Sequence, residues 1–193
     1  MKKYILQIFF IIFLITNSFS QSLEELKSNS QKIYEATTTL NYDQILEYTY
    51  PKVFKIIPKD KMKEALESTF KGTEEMKVKL IDVAPNFTYG EIKTIDKQKI
   101  CQVNHNLSME LTFTETLEEG NAEMMIEIFK EAMETEDVTF NKEKTTFSIN
   151  KVATMIAISD ELTKNQWRFL NKDKENKLMK MLLNKKVLQE IGL

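Results

Sequence analysis

Ile100-Cys101-Gln102-Val103-Asn104-His105-Asn106-Leu107-Ser108-Met109-Glu110-Leu111-Thr112-Phe113 alternates along its whole length. Cys101, Val103, His105, Leu107, Met109, Leu111 and Phe113 fall on one side; Gln102, Asn104, Asn106, Ser108, Glu110 and Thr112 fall on the other. Successive side chains of a strand point to opposite faces. The run therefore predicts a long strand with the first face buried and the second wet. One-sided burial of this kind belongs to antiparallel sheets.

Shorter runs of the same period flank it. Residues 76–80 alternate, Pro85-Asn86 marks a turn, residues 87–95 read as a second strand, and Asp96-Lys97 is the turn into the long one. On the other side, residues 138–140, 145–149, 152–158 and 167–170 read as strands, with a turn over residues 141–144. A helix over residues 121–134 interrupts them. Ala122, Met125, Phe129, Ala132 and Met133 form its apolar stripe, and Glu123, Glu127, Glu131 and Glu134 its charged one.

Before the sheet the period is helical. Residues 22–38 carry Leu23, Leu26, Ile33 and Tyr34 on a broken stripe, with Ser22 and Glu25 placed as a capping box. Asn41 can cap a short helix with Ile45, Leu46 and Tyr48, which must stop ahead of Pro51. Residues 53–57 read as a short strand closed by Pro58. A third helix follows, with Met62, Ala65, Leu66 and Phe70 on one face and Gly72 as its stop. From Asp173 onward the tail is helical, with Leu178, Met181, Leu182, Leu188 and Ile191 apolar. Helices first and then an antiparallel meander mean an α+β domain.

The chain has 193 residues. Lys2 and Lys3, the uncharged run YILQIFFIIFLIT over residues 4–16, and small residues at Ser18 and Ser20 have the layout of a secretory signal peptide cut after Ser20. The run is shorter than the ~20 apolar residues of a membrane span. No second long run follows it, so no membrane span is expected after cleavage. No cysteine follows the cut, which argues against a lipid anchor. Residues 21–193 then form a single domain of ordinary size. The composition, rich in Lys, Ile and Asn and poor in Gly, Pro and Trp, fits an AT-rich bacterial genome, so export means periplasm or medium.

The net charge is −2, from 27 basic and 29 acidic residues. Loss of Lys2 and Lys3 makes the mature chain more acidic, which argues against nucleic acid as a partner. The single cysteine, Cys101, excludes an intramolecular disulfide. It shares a face with His105, but four strand residues put their Cα atoms about 13 Å apart. That excludes a Cys–His nucleophilic pair, and Cys101 reads as a small buried hydrophobe. The glutamate stripe reads as a solvated face, because calcium sites draw their ligands from tight loops. No metal site, no cofactor and no catalytic constellation is expected. Met124, Met125 and Met133, with Ile128 and Phe129, give the inserted helix a soft surface suited either to packing on the sheet or to varied apolar ligands. The lysines at 172, 174, 177, 180, 185 and 186 read as a solvated helix face.

Residues 41–51 (NYDQILEYTYP), then Val53-Phe54 and a third helix ahead of the sheet, with Trp167-Arg168-Phe169-Leu170 as its last strand, give an order that resembles the nuclear transport factor 2-like superfamily. The resemblance covers most of residues 21–170. The helix over residues 121–134 and the lysine-rich tail depart from it. It implies N-terminal helices packed in a curved antiparallel sheet, the cystatin-like cone, here with an extra helix inserted between strands and a C-terminal helix.

The resemblance also implies a pocket inside the cone, and not a particular reaction. The residues assigned to that pocket are Tyr50, Phe54, Asp82, His105, Met125, Phe129 and Trp167. The leading expectation is a non-catalytic domain that binds a small apolar ligand or a protein partner, with a homodimer through the sheet as a further expectation. The alternative is an isomerase, dehydratase or cyclase using His105 or Asp82 as general base, with Tyr50 or Tyr89 in a tyrosine's part. A cone packed solid would instead mean a structural module.

Overall fold

The computed structural model describes residues 22–193. The expected signal peptide and its cut lie outside the described residues; Ser22, the expected cap, is the first of them and is already helical. The described chain is α+β, with six α-helices and a seven-stranded antiparallel sheet whose edges stay open.

Helix α1 spans residues 22–38. Asn41 caps α2 (Tyr42–Tyr48), its Oδ1 accepting the Gln44 amide at 3.2 Å. Thr49 and Tyr50 are extended ahead of Pro51, as the proline requires. The expected strand at residues 53–57 is instead a 3-10 helix, Pro51–Lys55. Pro51 presets its first turn, and the following amides bond backwards, Val53 to the Tyr50 carbonyl at 3.0 Å and Ile56 to that of Val53 at 2.9 Å. A strand needs a partner, and the sheet offers this segment only the bridge between Thr49 and Phe169.

Helix α3 is Lys59–Lys71 and stops at Gly72, whose φ is +73°. A Cβ there would come within 2.2 Å of the Met76 carbonyl oxygen. No residue of α3 is fully buried; Met62, Leu66 and Phe70 are half-buried on its inner side, and Ala65 is exposed.

The sheet is built on two long strands, β4 (Gln98–Phe113) and β6 (Thr146–Ser159), paired without a break from Lys99–Ser159 to Thr112–Thr146. The two strands expected at residues 145–149 and 152–158 are therefore one. Asn150 and Lys151 interrupt the apolar pattern, but each keeps a partner on β4, so the strand has no reason to turn. β1 (Met76–Ile81), β2 (Thr88–Tyr89) and β3 (Lys93–Ile95) share the outer edge of β4. β5 (Val138–Asn141) and β7 (Arg168–Asn171) share the outer edge of β6.

The expected single strand over residues 87–95 is thus two. Four steps along the edge, Tyr89 to Lys93, span three along β4, Val103 to Ile100, which is a one-residue bulge. It sits beside Gly90, whose amide still bonds the Gln102 carbonyl at 2.8 Å. Asp96 and Lys97, at φ +47° and +68°, close the β3–β4 hairpin as the two-residue turn the sequence implies.

The face of β4 carrying Cys101, Val103 and His105 is the buried one. At one end α1 covers it, with Leu26 and Ile33 against Cys101, Val103, Met155, Ala157, Trp167 and Phe169. At the other end α4 (Glu119–Met133) covers it, following β4 in the chain and packing Ala122, Met125 and Phe129 against Leu111, Phe147 and Ile149. Its Ala132, expected on the apolar stripe, is exposed, whereas Glu123, Glu127, Glu131 and Glu134 are exposed as expected.

The opposite face is less wet than the alternation implies. Helices α5 (Lys177–Leu182) and α6 (Lys185–Glu190) bring Met179, Leu183 and Val187 onto Ile100, Ile156, Ile158 and Leu170. The tail thus packs on the side of the sheet away from α1. At that end the sheet is covered on both faces; around Asn106, Ser108 and Val152 the second face is open, and Val152 is 64% exposed.

Candidate functional site

Between the two helix-covered ends, the buried face of β4 and β6 is not packed solid. A cavity of about 540 Å³ lies over it, with Ile33, Tyr34 and Thr37 of α1, Ile45 and Thr49 of α2, and Met62, Ala65, Leu66 and Thr69 of α3 as walls. Its floor is His105 and Leu107 of β4 and Lys151, Ala153 and Met155 of β6. Phe169 to Asp173 and Leu178 close one side. The register explains the gap. Ala153 stands opposite His105, so a methyl group occupies a position that a larger side chain would fill. The volume falls within the roughly 300–1,000 Å³ of pockets that hold small molecules.

His105 is the polar centre of the floor and is 8% exposed. Its Nδ1 lies 3.0 Å from the Asn106 carbonyl oxygen, so that nitrogen carries the proton and donates. Nε2 then bears the lone pair, and it has no partner among the described residues. The Tyr34 ring meets the imidazole edge-on at 5.5 Å and that of Phe87 lies at 5.9 Å. Burial lowers the His105 pKa from its ordinary 6.5, and the Asn106 carbonyl opposes the shift with a smaller effect. The ring is accordingly neutral at pH 7. Tyr34 cannot hand it a proton, because the phenol donates to the Val83 carbonyl at 2.7 Å. Burial raises that phenol's pKa.

Of the seven residues assigned to the pocket from the sequence, only His105 lines this cavity. Asp82 is exposed, against the inward position the alternation implies. The β1–β4 ladder ends at Ile81–Ser108, and beyond it the chain leaves the sheet towards Pro85, whose carbonyl accepts the Asn106 amide at 2.7 Å.

Tyr50 is fully buried elsewhere. Its hydroxyl donates to Asp160 Oδ2 at 2.7 Å, and Gln98 Nε2 donates to the same oxygen at 2.7 Å. Asp160 Oδ1 accepts the Thr163 amide at 3.1 Å, and Thr163 Oγ1 accepts that of Asp160 at 2.9 Å. This network ties the segment before Pro51 to the β6–β7 loop. Burial first, and then the Asp160 carboxylate, push the Tyr50 pKa well above its ordinary value.

Trp167 is buried under α1, its Nε1 donating to the Ser22 carbonyl at 2.9 Å. Phe54 is half-buried with the Lys59 ammonium 4.9 Å from its ring centre. Met125 and Phe129 belong to the α4 contact, where the Phe129 and Phe147 rings stand edge-to-face at 5.1 Å. Tyr89 is half-buried on β2 beside Ser30. Cys101 is buried, its thiol donating to the Gly90 carbonyl at 3.3 Å, and burial pushes its pKa up to about 11.

The cavity's other walls were missed in the sequence. Ile33, Tyr34 and Thr37 recur at helical spacing, and Met62 and Leu66 do the same on α3, but such a stripe marks packing and cavity lining alike. Lys151 was missed because it fell between two expected strands. Once β6 is continuous, its odd positions Phe147, Ile149, Lys151, Ala153, Met155 and Ala157 share the covered face, and Lys151 is the charged one among them.

Among the described residues no group of three His, Cys, Asp or Glu side chains could hold a metal ion, and no helix is long and apolar enough to cross a membrane. No family model and no curated protein matches the chain.

Proposed function

We propose that this is an exported, non-catalytic binding domain whose ligand is a small, mainly apolar molecule held between α1–α3 and the sheet. The observation that carries it is the 540 Å³ cavity, its exposed lining mainly apolar, with a neutral His105 and Lys151 as the polar side chains of its floor. Apolar concavity with few polar groups is the make-up of small-molecule sites. The reading takes the fold as a nuclear transport factor 2-like cone in which α1–α3 occupy the hollow of a curved sheet. It takes residues 1–20, outside the described residues, as the cleaved signal, and it includes a homodimer through the open part of the sheet face.

Native mass spectrometry of the protein purified from its source tests the central part. A co-purifying small molecule is expected in the wild type and absent from Ala153→Phe, which fills the floor. Recovery of the bare chain mass in the wild type would remove the reading.

One observation favours a second reading, an isomerase, dehydratase or cyclase with His105 as base. The ring is neutral, Nδ1 is anchored, and Nε2 is a lone-pair acceptor at the cavity floor. A lost general base costs about a hundredfold or more in turnover. His105→Gln that folds normally and loses turnover on that scale would favour the enzyme.

A further inference from the structure

Lys151 stands where the pattern calls for an apolar residue. It faces Leu107 across the β4–β6 ladder, between Ile149 and Ala153 on the covered face, and it is half-buried. Among the described residues no carboxylate lies within ion-pair distance of its ammonium. That group donates to the Met133 carbonyl, the last residue of α4, at 2.6 Å. An ammonium has three donors, so two remain.

Lys151 also lines the cavity diagonally from His105, and diagonal neighbours on one sheet face are within reach of long side chains. The other charged lining groups are Lys172 and Asp173 at the closing side, and the Asp173 carboxylate already accepts the Asn176 amide. The cavity therefore pairs an apolar hollow with a floor lysine whose ammonium has donors to spare and no carboxylate within ion-pair distance among the described residues. A half-buried charge of this kind is compensated when an anion meets it.

Resting on the binding reading above, we propose that the ligand is a long-chain monocarboxylate, with its carboxylate on the Lys151 ammonium and its alkyl chain under Met62 and Leu66 of α3. The α4 contact alone would make Lys151 a helix-end cap. The two roles differ in what they do to ligand preference.

Isothermal calorimetry with dodecanoate and dodecanol, both below their aggregation thresholds, separates them. In the wild type the acid should bind at least about tenfold more tightly than the alcohol, the size of a charge-assisted hydrogen bond. Lys151→Met should erase that difference, and Lys151→Arg should keep it. Equal affinity for acid and alcohol in the wild type overturns the proposal while the apolar pocket stands, and this comparison needs no variant to fold. A preference that survives in Lys151→Met overturns the assignment to Lys151. Binding of neither compound removes the pocket reading as well. Extraction of the source-purified protein then distinguishes a free acid, which supports the proposal, from an esterified phospholipid, which overturns it.

Discussion

Burial keeps the His105 imidazole neutral in the folded chain, and this makes stability depend on pH in a defined direction. The unfolded ring titrates near 6.5, and the folded one lower. Below pH 6.5 the unfolded state therefore binds protons that the folded state refuses. The stability contributed by the neutral ring is present above pH 6.5 and is lost as pH falls towards the lowered folded value. Urea unfolding at pH 7.5 and at pH 5 should show a drop in the wild type that is smaller in His105→Gln. At pH 7.5 the substitution itself should cost about 1–3 kcal/mol through the lost bond to the Asn106 carbonyl.

Cys101 gives a second test at this scale, because its pKa of about 11 and its burial remove both thiolate and access. A bulky thiol reagent should react far more slowly with the native protein than in urea; equal rates would mean that the β4 facing is wrong. The facing of these two residues was legible in the sequence because alternation alone decides it. The role of Lys151 was not, since its face depends on whether residues 145–158 form one strand or two, and only pairing with β4 decides that.

Among the helices, α3 is the one held least. None of its residues is fully buried, while β4 and β6 bury Val103, Phe147, Ile149 and Ile156 almost completely. Local opening follows such differences in burial. Hydrogen exchange should therefore show Lys59–Lys71 exchanging faster than β4 and β6, and a bound ligand should slow α3 selectively. Protection of α3 equal to that of the central strands would contradict its place as a lightly held wall.

Gly72 fixes where α3 ends. Its φ of +73° and ψ of −157° form a conformation almost confined to glycine, and a Cβ would meet the Met76 carbonyl. Gly72→Ala should cost about 1–3 kcal/mol in urea unfolding; a neutral effect would mean that the α3–β1 connection differs. Helices α2 and α3 and the long strand were readable from caps, prolines and period. The 3-10 turn at Pro51–Lys55 and the break between β2 and β3 were not, because one is decided by the lack of a partner strand and the other by a bulge against β4.

For the molecule as a whole, the two faces of one sheet have different work. The face under α1 and α4 holds the cavity between its two packed ends, and the other face is closed at one end by α5 and α6. The α+β class and the burial of the long strand's odd face followed from the sequence, but the position of the cavity did not. It depends on three helices and two strands meeting around one small residue, Ala153, and no local pattern records that meeting. This is why six of the seven residues assigned to the pocket lie outside the lining of this cavity.

A crystal structure of the protein under xenon pressure would show whether the apolar cavity over His105 can take a ligand, since xenon enters apolar cavities. Xenon should sit between Leu66 of α3 and Ala153 of β6, with α1 and the sheet unmoved. Density showing α3 collapsed onto Leu107 and Ala153, or the space filled by ordered water, would contradict it.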